Sequence, residues 1–106
     1  MASLVAGLMK QRIDYIYSIS ADKRGDKTST LQHQDVQCRW VERINKVVNS
    51  KGEEVQSVVE VWLLPRYTDI RHNWKITKDD EDYYIVAIEN KRNLGGNLDH
   101  IKLYLV

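Results

Sequence analysis

Apolar residues in this chain recur at every second position, and that period dictates strands. In "RIDYIYSIS" the residues Ile13, Tyr15, Tyr17 and Ile19 share one face, with Ile16 interrupting the other. "VQCRWVERINKVV" repeats the pattern through Val36, Cys38 and Trp40; Ile44 and Val48 continue it or sit on a helical turn. "EVQSVVEVWLL" places Val55, Val59, Val61 and Leu63 together, and the single proline, Pro65, ends it because proline cannot donate to a ladder. Trp74 and Ile76 mark a short strand. "YYIVAIEN" is β-branched and aromatic through its centre. The sequence closes on "HIKLYLV", with Ile101, Leu103 and Leu105 on one face. About six strands and no long helix predict an all-β domain, a small antiparallel β-barrel or a sandwich.

The connections are unequal. "NSKGEE" is a hairpin turn, and "KDDED" an acidic one. "ADKRGDKTSTLQHQD" is polar, with Leu31 as its only large apolar residue, and reads as a long loop over 20–35. Loops of that length in compact domains are usually functional or disordered. The final apolar strand must be paired, since an exposed apolar edge aggregates. It closes the barrel beside the first strand or pairs with another chain.

With 106 residues there is room for one domain. The division expected is a short helix or flexible arm over 1–10 and a single barrel domain over 11–106. The opening "MASLVAGLMKQR" lacks the basic start of a signal peptide, and no run approaches the length of a membrane span. Cys38 is the only cysteine, so no internal disulfide forms. Its place in a strand predicts a small buried side chain, and the easy reading is a reducing, intracellular origin. Net charge is +1, which argues against a dedicated nucleic-acid binder but leaves room for a locally basic face.

Catalytic chemistry is not legible. His33, His72 and His100 stand at no metal-ligand spacing. Asp79, Asp80, Glu81 and Asp82 lack the spaced ligands and central glycine of a calcium loop. "NLGGNLD" leads into a strand rather than a helix, so Gly95 and Gly96 serve tight backbone geometry rather than phosphate binding. No nucleophile and base stand at a motif spacing. The expectation is a non-enzyme without cofactor or metal. Two basic clusters remain, Lys23, Arg24 and Lys27 in the long loop and Lys91 and Arg92 in the late loop. They are solvated loop charges, or they meet a negative surface, either DNA or an acidic patch on a partner.

The order of features resembles the head-closure, or head–tail connector, proteins of tailed bacteriophages. Carrying the resemblance are a first strand, the long polar loop, the "CRWVE" strand, the "NSKGEE" hairpin, the Val-rich strand and the ending "YYIVAIENKRNLGGNLDHIKLYL". It spans about residues 11–106. Tyr84, Val86 and Ile88 with Leu103 match the family's outline near the end. Where the family carries a Gly–Asp pair, this chain has Thr68 and Asp69. The resemblance implies a small barrel and a structural protein of the virion neck, made in the host bacterial cytoplasm. It implies a ring of commonly about six or twelve copies, with a portal or adaptor protein above and tail proteins below. Packaged double-stranded DNA would pass through, and no membrane is involved. Residues 20–35 would face the channel or a neighbouring subunit, bringing Lys23, Arg24 and Lys27 to DNA phosphates. Such a loop is expected to be mobile in the free protein and ordered in the assembly.

Two alternatives are open. A tail-terminator or tail-completion protein usually shows a helix packed on a sheet, and none is read here. A single-stranded nucleic-acid binding barrel needs exposed aromatics with basic residues between them. Tyr15, Tyr17, Tyr83, Tyr84 and the three Trp lie mostly in apolar runs, so they are expected in the core.

Overall fold

The structure is a computed structural model that describes residues 7, 9–21 and 23–106. The arm or helix expected over 1–10 falls largely on 1–6 and 8, outside the described residues. The remainder is all-β. Six strands follow one another: β1 Gln11–Ala21, β2 Lys27–Val48, β3 Glu54–Leu63, β4 Lys75–Lys78, β5 Glu81–Arg92 and β6 Leu98–Leu105.

They close into a barrel in the order β1-β2-β3-β6-β5-β4, with every neighbouring pair antiparallel. The first three strands form one meander and the last three another. The segment 64–74 carries the chain from β3 across to β4. It has Pro65 two residues past the end of β3 and sends Tyr67 and Ile70 into the core. The closing seam is β1 against β4. It is short, with Tyr15, Ile16 and Tyr17 opposite Thr77, Ile76 and Lys75. Ile16 and Ile76 are both fully buried at that seam.

The single-sided alternation of the sequence is the inner face. Val59, Val61 and Leu63 of β3 and Ile101, Leu103 and Leu105 of β6 are all buried. Cys38 is fully buried on β2, as its strand position predicts. β1 departs from strict alternation: Ile13 and Ile16 are the buried pair, and Tyr15 is exposed. The change of face falls opposite Asp35, whose φ of 52° lies in the left-handed region. β2 also bends. Its 22 residues would span roughly 70 Å if straight, yet the longest extent of the molecule is 47 Å. The ladder departs from straight pairing at Gln32, opposite the step from Ile16 to Tyr17, and between Glu42 and Asn45.

Two expectations are corrected here. β6 does not lie beside β1; it is an interior strand, held by β3 on one side and β5 on the other. The segment 20–35 is not a loop. β1 runs to Ala21 and β2 starts at Lys27, with Ile19 opposite Ser29 and Ala21 opposite Lys27. The turn is short, and Gly25 supplies its φ of +84°. The alternation is missing because this part of the hairpin leaves the barrel. Both faces are solvated there, so neither needs to be apolar.

The tight turns follow local chemistry. In the β2–β3 hairpin, the Asn49 side-chain oxygen accepts from the backbone N–H of Lys51 at 2.9 Å and of Glu53 at 3.0 Å. Asn93 does the same for Gly95 and Asn97 in the β5–β6 hairpin, at 2.9 and 3.1 Å. Gly52 and Gly96 provide the left-handed residue, with φ of +80° and +83°. Between β4 and β5 the two-residue turn is Asp79–Asp80, both at positive φ. That is the twist-matched hairpin turn that Asp tolerates.

Candidate functional site

β1 pairs with β4 only as far as Tyr17, and β2 meets β3 only from Cys38 onward. Residues 18–21 and 27–30 therefore form a two-stranded ribbon that continues past the barrel's closing seam. Gln32 and Ser18 brace it across the strands, amide nitrogen to hydroxyl at 3.0 Å. Lys23 and Arg24 are exposed at its tip, and Lys27 is exposed where β2 begins. The structure thus brings Lys23, Arg24 and Lys27 together on a projecting hairpin.

Lys91 and Arg92 do not join them. Both belong to β5 rather than to a loop, because that strand runs to Arg92. Lys91 is ion-paired with Glu89, and Arg92 donates to the carbonyl of Gly96 at 3.1 Å, bracing its own turn. The Lys91 ammonium is the main reason that the Glu89 carboxyl is held below its ordinary range. From the row that aligns Gln11, Cys38, Leu63, Ile101 and Asn90, both hairpins run in the same direction. The β1–β2 tip lies far past that row and the β5–β6 tip just past it.

A constellation that the sequence did not reveal covers the outer face of β2, β3, β6 and β5. Arg39, Trp62, Lys102 and Glu89 stand side by side across the four strands. His100 stacks on the Trp62 ring at 4.8 Å, and the Arg39 guanidinium lies over that ring, also at 4.8 Å. Lys102 sits over both Trp62 and Tyr104 and pairs with Glu60 at 3.1 Å. The Trp62 indole N–H donates to the second Glu60 oxygen at 3.0 Å.

Glu60 is only 3% exposed although it points outward. Burial pushes its carboxyl up, but the bonds from Trp62 and Lys102 and the charges of Lys102 and Arg43 outweigh that and hold it low. Burial alone would lower Lys102; its bonds to Glu60 and Tyr104 raise it instead. Burial first and Glu89 second push the Tyr104 phenol up. The expectation that the aromatics lie in the core holds for Trp40, Trp74 and Tyr83, which pack against it, and is corrected for Trp62, Tyr15 and Tyr84. Trp62 and Tyr104 alternate with the buried Val61, Leu63, Leu103 and Leu105, so they face outward. Tyr15 and Tyr84 are exposed at 41% and 46%. The available signal was that same alternation; which residues meet across strands follows from the register, which the sequence does not state.

An open groove of about 740 Å³ lies between the ribbon and the barrel. Ile19, Ala21, Lys27 and Ser29 line it from the ribbon, and Asn73, Lys75, Tyr84, Val86 and Val106 from the barrel. Among the described residues no three His, Cys, Asp or Glu side chains converge to hold a metal ion, and no helix is long and apolar enough to cross a membrane. His33 instead meets Asp69 at 2.8 Å and the edge of Tyr67. No protein-family model matches this chain, and no curated protein matches it.

Proposed function

We propose that this chain is a structural protein of the neck of a tailed bacteriophage, forming a ring that joins the head to the tail and helps to close the DNA channel. The observation that carries the reading is the β1–β2 ribbon. A closed barrel provides a rigid body, and the ribbon projects from it with Lys23, Arg24 and Lys27 exposed at one end. A hairpin of that kind reaches into a channel, and its cations contact phosphates without reading sequence. The work is mechanical: ribbons narrow the opening, barrels carry the contacts between copies, and no bond is made or broken. The partners on this reading are further copies of the chain, a portal or adaptor protein, tail proteins and the packaged duplex. The test is to label purified particles with an antibody to this protein and image them. Label at the head–tail junction supports the reading. Label along or at the far end of the tail favours a tail-completion role and overturns the neck assignment.

A second reading has one observation in its favour. Trp62 and Tyr104 lie outside the barrel between Arg39, His100 and Lys102, the mixture that single-strand binders use. The rings are already covered by those cations and by His100, leaving little open face for a base. Titrating an oligothymidylate against tryptophan fluorescence decides between them: quenching at moderate salt supports strand binding, and an unchanged spectrum removes it.

A further inference from the structure

The groove beside the ribbon has the features of a strand-docking site. Its wall is the outer edge of β1: pairing with β4 stops at Tyr17, so residues 18–21 present their outward N–H and C=O groups to no strand among the described residues. Its floor is apolar, with Ile19, Val86 and Val106. Lys27 and Lys75 line it, and no acidic residue does. An unpaired edge beside apolar surface is a template for a further strand, and the two lysines ask that this strand be acidic.

The chain itself carries such a strand. Asp79, Asp80, Glu81 and Asp82 are four consecutive exposed carboxylates at the β4–β5 turn. The start of β5 pairs with β4 on one side, while pairing with β6 begins only at Ile85, after the bonds between Tyr84 and Val106. Residues 81–83 thus form a second free edge, and an acidic one. We propose that the groove of one copy receives the acidic β4–β5 edge of the next, Lys27 and Lys75 facing Glu81 and Asp82 across the new strand pair. Because the groove and the acidic edge are different surfaces, the contact is head-to-tail, and head-to-tail contacts close into rings when the rotation allows. This assigns the contact between copies and rests on the ring proposed above.

The test uses the intact protein, with association followed by light scattering and analytical ultracentrifugation and folding checked by circular dichroism. Lys27→Glu/Lys75→Glu reverses the groove. Glu81→Lys/Asp82→Lys reverses the edge without touching the left-handed positions Asp79 and Asp80. Each variant alone should associate about tenfold or more weakly than the native protein, since like charges then face each other. An equal mixture of the two should recover association, because each reversed groove meets a reversed edge. Association that survives both reversals, or a mixture that fails to recover while both variants remain folded, overturns this contact and leaves a ring built through another face. A native protein that stays monomeric at every concentration overturns the ring reading itself along with this contact.

Discussion

Glu60 shows how a single residue ties the outer face of the barrel together. Its carboxylate accepts from Trp62 and pairs with Lys102 while almost wholly buried. Removing the charge by Glu60→Gln should cost about 1.5–3 kcal/mol at neutral pH, the range for hydrogen bonds to charged groups. Because its folded pKa is depressed, the contribution is complete above the unfolded carboxylate value and is lost as pH falls through the folded value. Melting curves should therefore separate the two proteins at neutral pH and converge as the pH falls through the acid range below the ordinary carboxylate value; a constant gap would show that the charge is not the cause. Cys38 makes a second residue-scale prediction. Burial pushes its thiol up to about 11, so at pH 8 only about one part in a thousand is thiolate. An alkylating reagent should leave Cys38 untouched in the folded protein and modify it in denaturant; rapid labelling of the native state would contradict the burial. At Gly96 the φ of +83° demands glycine, whereas Gly95 has no such φ and meets only the tips of Asn93 and Asn97. Gly96→Ala should cost about 1–2 kcal/mol, and Gly95→Ala little. Adjacent glycines in a sequence do not say which one takes the left-handed conformation.

Strands were legible where one face is buried. The alternation of Ile101, Leu103 and Leu105 names the inner face of β6, and all three are buried. Deleting residues 100–106 should abolish cooperative folding. β6 is paired on both sides, and losing three buried aliphatic side chains costs on the order of 5 kcal/mol or more. A truncated protein that is soluble and melts cooperatively would show β6 to be peripheral. The ribbon was not legible by periodicity, because it leaves the barrel and has no buried face. A turn signal was nonetheless present: "DKRGD", "NSKGE" and "NLGGN" share an Asx residue followed three positions later by glycine. Gly25, Gly52 and Gly96 all adopt φ near that of their counterparts, +84°, +80° and +83°. Applied to all three, that signature ends β1 and starts β2 where the structure does. An isolated two-stranded ribbon is marginally stable, so amides of residues 18–21 and 27–30 should exchange faster than those of β6 in the free protein. They should slow once copies associate. Equal protection of ribbon and β6 in the free protein would mean that the ribbon is held by more than β1–β2 pairing.

At the scale of the whole molecule, the strand order explains why the closing seam escaped the sequence. A run of six strands states their order along the chain and nothing of their neighbours. The crossing from β3 to β4 through residues 64–74 is what sets β4 against β1 and leaves β6 between β3 and β5. The same topology places the basic tip on a projecting hairpin and leaves free edges on β1 and β5, the features on which the proposed ring rests. Quantitative mass spectrometry of purified phage particles tests that claim most directly. If the proposed neck ring exists, peptides of this chain will be found in tailed particles at a small fixed stoichiometry, about six or twelve copies, because a closed ring has a set copy number. Their absence from every particle, or an abundance matching a shell or tail-tube protein, would contradict it.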